Sequence, residues 1–356
     1  MNDTPAPHSH LWPGVPLALG SAILFGASAP LSKLLLGTVN PWLLAGTLYL
    51  GAGIGLGIVR LVGIRAGASR AEAPLSRRDV PWLAAGVLFG GVVGPLLLMF
   101  GLSQTTAATG SLLLNLEGLA TMAIAWLVFR ENVDRRLLLG ALAILAGAVL
   151  LTWNGQGVRL DLGGLLIAGA CLAWGIDNNL TRRLSSADPV QIAMIKGLVA
   201  GSVNLVLALA TGAAVPSMAF VLAGAAVGFF GIGISLVMFM LGLRHLGTAR
   251  TGAYFSLAPF IGAALAIALL GEQLTPVLIV AAVLMGFGLW MHLTESHDHA
   301  HDHGPLEHEH RHVHDEHHRH DHDGPTTEPH SHWHRHDPLR HKHPHFPDLH
   351  HRHKHG

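Results

Sequence analysis

"MFGLSQTTAATGSLLLNLEG", Met99–Gly118, reads in step with "FMLGLRHLGTARTGAYFSLAP", Phe239–Pro259: Gly101 falls on Gly242, and the same register, carried on without a gap, brings Glu131 onto Glu272. A second pair lies earlier in each copy, "LFGASAPLSK", Leu24–Lys33, against "AWGIDNNLTR", Ala173–Arg182. The chain is therefore a tandem of two related halves, and both are apolar nearly throughout. Crossing a bilayer takes about 20 apolar residues, because no unpaired backbone group can face lipid and a helix rises only about 1.5 Å per residue. Ten segments meet that test: Gly14 to Leu36, Pro41 to Ile64, Pro81 to Leu102, Ala107 to Phe129, Leu137 to Trp153, Leu160 to Leu180, Pro189 to Thr211, Ser217 to Leu243, Thr248 to Leu270 and Thr275 to Leu293. Proline opens several of them (Pro41, Pro81, Pro189), where its missing N–H costs nothing. Five crossings per copy is an odd number, so the second copy sits upside down relative to the first. Inverted repeats of this kind mark transporters, with the substrate site expected where the halves meet.

Composition agrees. Half of the 356 residues are hydrophobic, 43 are glycine, and only 12% are charged even though that average includes a polar tail. The expected fold class is all-α integral membrane, with ten transmembrane helices as two inverted five-helix repeats and a disordered His-rich C-terminal tail. The organisation that follows is a short N-terminal segment (1–12), a first repeat (13–153), a second repeat (160–293) and the tail (295–356). The start, "MNDTPAPHSHLWPG", has no basic n-region and no cleavage signature, so no removed signal peptide is expected. Cys171 is the single cysteine, which excludes an internal disulfide and a multi-cysteine metal site. If the N-terminus is cytoplasmic, the inner loops hold Arg60, Arg65, Arg70, Arg77, Arg78, Arg130, Arg135, Arg136, Arg182, Arg183, Arg244 and Arg250, against Lys33 and Arg159 near the outer face. This asymmetry predicts a multi-pass protein of the cytoplasmic membrane with both termini inside.

At this point the sequence resembles the EamA family of the drug/metabolite transporter superfamily, over roughly Trp12 to Leu293. The likeness rests on the paired helix ends "WLVFREN" with Glu131 and "LLGEQLT" with Glu272, on "SLAPFIGAALA" with Pro259, and on the small-residue starts "TAATGSLLL" and "GTARTGAYF". One departure stands out: opposite Ala258-Pro259 the first half carries Glu117-Gly118, a carboxylate where the family commonly bends the helix with proline. The resemblance implies secondary, gradient-driven transport of a small polar metabolite such as an amino acid or related compound, often outward, with lipid and a small-molecule substrate as partners, no nucleic acid and no required cofactor. A homodimer is left open.

An ionisable side chain inside a bilayer persists mainly where it faces a cavity or a partner, since its insertion costs roughly 2.5–3.5 kcal/mol. Glu117 lies deepest. It reads either as the coupling carboxylate or contact for a cationic group, or as half of an ion pair with Lys196. Asn115 is two residues away and so points elsewhere, while Leu113 and Thr121 share its face. Asp177 opens "DNNLTRR", which is either a helix end dressed with local hydrogen bonds or, with Asn178 and the aromatic Trp174 one turn earlier, a polar patch lining a cavity. Lys196 can pair with Asp177 or Glu117 or hold a substrate carboxylate. The runs of glycine, "GAGIGLG" and "GFFGIG", read as close-packing surfaces between helices, some of them hinges.

All but four of the 27 histidines lie beyond residue 296. In "HDHAHDHGPLEHEHRHVHDEHHRHDHD" they recur at almost every second position, and nothing there can form a core. Neutral imidazoles on a pliable chain gather readily round Zn²⁺, Ni²⁺, Co²⁺ or Cu²⁺. The expected ligands are His297, His299, His301, His303, His308, His310, His312, His314, His317, His318, His320 and His322. A metal buffer, a tail that charges in acid, and an extension without a role are the three readings. The tail looks like an attachment, because the apolar core does not repeat its chemistry. An oxygen-rich set of Asn115, Glu117, Asp177, Asn178 and Asn179 keeps export of a divalent transition metal as the runner-up. No phosphate loop, nucleophile elbow or HExxH motif is present, so the reading is not an enzyme.

Overall fold

The computed structural model describes residues 13–65, 75–129, 135–153, 161–181, 184 and 188–294, with four tail strands at 297–303, 306–312, 330–336 and 339–345. The first half is built of α1 (Gly14–Leu36), α2 (Pro41–Arg65), α3 (Val80–Gly86), a π-helical segment (Val87–Val93) running on into α4 (Gly94–Gln104), α5 (Ala107–Leu113), α6 (Leu116–Phe129) and α7 (Arg135–Thr152). The second contains α8 (Leu162–Thr181), α9 (Pro189–Ala210), α10 (Met218–Gly228), another π segment (Phe229–Ile234), α11 (Ser235–Phe255), α12 (Ala258–Leu270) and α13 (Pro276–Leu293). Among the described residues nine helical stretches are long and apolar enough to cross a membrane. The remaining expected segment is α8, 20 residues of helix whose average apolarity is pulled down by the consecutive Asp177, Asn178 and Asn179. The protein is a multi-pass membrane protein.

The halves repeat in detail as well as in outline. Each third helix of a repeat is interrupted by a π segment at the matching register, Gly90 in one corresponding to Gly231 in the other. Each fourth helix breaks in the middle, at 114–115 between α5 and α6 and at 256–257 between α11 and α12. Pro259, in the first turn of α12, accounts for the second break, since it can offer no N–H to the preceding turn. The first break has no proline. There Asn115 turns its amide onto the Leu112 carbonyl at 2.8 Å, competing with the helix for a backbone acceptor.

Packing exchanges helices between the halves. First-half α1 packs on α11 and α12, and second-half α8 packs on α4 and α6; α2 lies along α9, and α7 along α13. Glycines make the closest crossings. A Cβ on Gly53 would sit 2.5 Å from the Leu198 nitrogen and one on Gly197 2.6 Å from the Gly53 nitrogen, so only glycine lets α2 and α9 come backbone to backbone. Arg60 near the end of α2 reaches Asp188 at 2.7 Å, and Asp188 also caps α9 through the N–H groups of Val190 and Gln191. Ser21 and Ser235 bond reciprocally, each hydroxyl donating to the other's carbonyl at 2.8 and 3.1 Å.

Helical backbone is continuous from Ser235 to Phe255, yet the Thr251 methyl lies 3.0 Å from where a Cβ on Gly242 would be, so the chain reverses there and the two expected spans stand, as Met218–Leu243 and Arg250–Leu270. In the tail the described segments are β1 (His297–His303), paired antiparallel with β4 (Leu339–His345), and β2 (Leu306–His312), paired with β3 (His330–His336), with His297 opposite His345 and His308 opposite His334; the rest of the tail expected to be disordered lies outside the described residues. His314, His317, His318, His320 and His322 lie outside the described residues, as do residues 1–12.

Candidate functional site

Glu117 occupies the first turn of α6, immediately after the break, where the unpaired N–H groups of a helix start favour negative charge. The break supplies what a continuous helix would withhold, a backbone end in the middle of the apolar layer. Glu117 is half-buried, and its Oε1 accepts from Asn178 Nδ2 of α8 at 3.0 Å. Asn178 also donates to Thr121 Oγ1 at 3.2 Å, and that hydroxyl donates to the Glu117 carbonyl at 2.9 Å. Asn179 completes the seam between α8 and α6 by donating to the Thr121 carbonyl at 3.1 Å.

Asp177, one residue before Asn178, faces a different helix. Lys196 of α9 donates to both of its carboxylate oxygens at 2.6 Å, and Thr181 adds a third bond at 2.9 Å. Asp177 is only 7% exposed. The pair fits because α3 and the π segment present no side chains toward it. A Cβ on Gly86 would lie 2.8 Å from Asp177 Oδ1, and one on Gly90 would overlap the carboxylate outright.

The π segment also brings backbone into the site. Widening a helical turn frees carbonyls from the regular ladder, a recurring feature of functional sites. The Gly90 carbonyl accepts from Tyr49 Oη at 2.7 Å and Trp174 Nε1 at 3.0 Å, and the Gly91 carbonyl from Asn204 Nδ2 at 3.0 Å. Trp174 is thus a tether of α8 to the π segment, its ring standing over Gly94. Tyr49, Gly90 and Asn204 were not singled out from the sequence. A tyrosine and an asparagine inside "GTLYLGAG" and "AGSVNLVL" are the signals that mark them, since a buried polar handle needs a partner.

The expected residues therefore divide. Glu117, Asp177, Asn178, Lys196 and Trp174 come together where α6, α8, α9 and the π segment meet. Asn115 does not join them: it bonds within its own turn and lies 3.8 Å from the Met285 sulfur of α13. The Glu117–Lys196 pair is not formed, because Asp177 takes the lysine. The oxygen-rich set expected for a divalent ion is likewise not assembled, with Asn115 on another side and both Asp177 oxygens on an ammonium. Among the described residues no group of three or more His, Cys, Asp or Glu side chains stands close enough to hold a metal.

The combination of broken helices, exchanged packing and intramembrane charge at the contact between halves is a transporter's, and comparison with known proteins agrees. Residues 12–153 and 161–294 each match the EamA-like transporter family. The chain is similar to an uncharacterized transporter of Methanothermobacter thermautotrophicus, 30% identical over 295 residues covering 79% of this chain and 86% of the relative. It is also similar to the uncharacterized transporter YyaM of Bacillus subtilis, 22% identical over 284 residues, 77% of this chain and 91% of the relative. A solved structure at 22% identity shares the fold with a TM-score of 0.57, over 78% of this chain and 96% of its own. Two family matches, one over each half of the repeat read from the sequence, show that the chain belongs to the EamA-like transporter family.

Proposed function

We propose that the protein exports a small polar metabolite, such as an amino acid or related compound, across the cytoplasmic membrane, driven by a gradient and with Glu117 as the coupling carboxylate. The observation that carries this reading is the placement of Glu117: at a helix start in the middle of an apolar layer, held by a single neutral amide. Among the described residues a carboxylate so placed has no opposite charge committed to it, unlike Asp177, and a proton or a substrate cation supplies one in transit. The Asp177–Lys196 pair is neutral as it stands and fixes α8 against α9, so that the second half moves as a unit. Both termini are assigned to the cytoplasm on the arginine asymmetry of the loops.

The test is counterflow into proteoliposomes, with the twenty amino acids as the panel. The wild-type chain is expected to exchange at least one of them, and Glu117→Gln to lose gradient-driven uptake while keeping the thermal stability of the wild type. Full uptake by Glu117→Gln refutes the coupling role. Exchange of none of the panel refutes the substrate class.

A further inference from the structure

We propose that Lys33 and Glu272 form a latch that shuts the bundle at the end opposite its termini, and that the conformation described here is the one with that end shut and the terminal end open. The proposal rests on the transporter reading and adds a gate and a state to it.

The latch is built on one turn. Thr105 and Thr106 join α4 to α5, leaving the last carbonyls of α4 and the first N–H groups of α5 side by side. Lys33, in the last turn of α1, donates to the carbonyls of Leu102 at 2.5 Å and Thr105 at 2.7 Å. Glu272 comes from the other half. Gly271 ends α12 in the left-handed region, φ 66°, and turns the chain so that the Glu272 oxygens accept from the Ala107 and Ala108 nitrogens at 2.7 and 2.8 Å. One turn is thereby held on its carbonyl side by an ammonium of the first half and on its N–H side by a carboxylate of the second. A shallow depression of about 420 Å³, open to the outside and lined by Lys33, Ser103, Gln104, Thr105, Thr106 and Glu272, lies against it. Water in that depression can take over each of these hydrogen bonds, so the grip can be released without stranding a charge.

Beneath the latch the bundle is sealed. There α12 packs on α5, and a Cβ on Gly262 would lie 2.8 Å from both the Gly26 carbonyl and the Ser111 hydroxyl. Ser111 is 1% exposed and its Oγ has no hydrogen-bond partner.

The matching place at the terminal end is different. Residue for residue, Gly252 corresponds to Ser111, and among the described residues a Cβ there would find nothing within 4 Å; nor would one on Gly118, beside Glu117. The 250–255 segment rests on α1, with the Phe25 and Phe255 rings 5.3 Å apart. Among the described residues it makes no packing with α6, α8 or α13 comparable to that of α5 with α12. Two copies of one repeat thus show one end closed and the other open, which is the asymmetry an alternating-access carrier must have and must exchange.

The experiment compares cysteine reporters in a Cys171→Ala background, labelled with a water-soluble maleimide in detergent. Ser111→Cys reports on the shut end and Gly252→Cys on the open one. Lys33→Met and Glu272→Gln are each expected to raise the Ser111→Cys rate by about tenfold and lower the Gly252→Cys rate, because a two-state equilibrium moves both together. Glu272→Asp, which keeps the charge one methylene short, gives a smaller change in the same direction and serves if Glu272→Gln fails to fold. An unchanged Ser111→Cys rate overturns the latch. A rise at both reporters also overturns it, since that is fraying rather than gating. No substrate is needed, so a failure of the Glu117 flux test leaves this result standing and the two readings fail separately.

Discussion

Replacing Lys196 with methionine tests whether the buried pair is a structural necessity of the second half. The two carboxylate oxygens of Asp177 stand 2.6 Å from the lysine nitrogen, a Coulomb attraction of about 6 kcal/mol at an effective dielectric constant of 20. Most of that is offset by the cost of taking both charges out of water, so the intact pair adds little net stability. Removal of one partner is another matter: it strands a carboxylate that is 7% exposed. Glycine surfaces at Gly86 and Gly90 give it nothing to bond, and among the described residues only Thr181 remains, so the expected loss is about 3–5 kcal/mol. At roughly 2 °C per kcal/mol for a large chain, the melting temperature in detergent falls by about 6–10 °C. The double variant Asp177→Asn/Lys196→Met removes both charges and is expected to recover more than half of that loss. Tryptophan fluorescence against temperature reads both. A double variant as unstable as the sum of its singles refutes the reasoning, as does a Lys196→Met shift below about 2 °C.

Other substitutions probe the backbone devices. Gly90→Ala places a methyl on the Asp177 carboxylate and is expected to cost about 1–3 kcal/mol by overpacking; combining it with Asp177→Ala restores part of the loss in the same melting assay, and additive losses count against the steric account. Thr275→Ala removes the hydroxyl that accepts from the Leu278 N–H at 3.2 Å and is expected to cost about 0.5–2 kcal/mol, with Thr106→Ala, which loses the matching bond to Thr109, falling in the same range. Gly271→Ala forces a Cβ into a left-handed conformation at a cost of about 1 kcal/mol. It also misdirects Glu272, so its effect on Ser111→Cys labelling is expected to exceed that of Thr275→Ala, an equal-stability control; equal labelling in the two variants counts against the link.

The helices and the tandem repeat were legible because both rest on one-dimensional signals, the length of apolar runs and the recurrence of a pattern in register. Partners within the site were not. Glu117 and Asp177 stood out as charges in apolar runs, yet which of them takes Lys196 depends on how α8 is rotated, and that is settled by which neighbours are glycine. Glu272 was visible as a shared helix end, but its hold on Ala107 and Ala108 joins places far apart in the chain. The reversal after Leu243 was legible from the length of the apolar runs, but not that helical backbone persists through it, since "RHLGTA" carries no proline and only one glycine. Tyr49 and Asn204 were passed over because their acceptors exist only where a helix departs from its regular ladder.

That departure carries a historical consequence. A π turn is what a helix makes of an extra residue, and here it occurs at the same register in both copies, among glycines in each. An insertion shared by two copies is most simply one that existed before there were two. The shared π turn is thus a property of the repeat itself rather than of either half's later use. Around that common frame the copies differ in charge, one holding Asp177 at the place where the other holds Ser28.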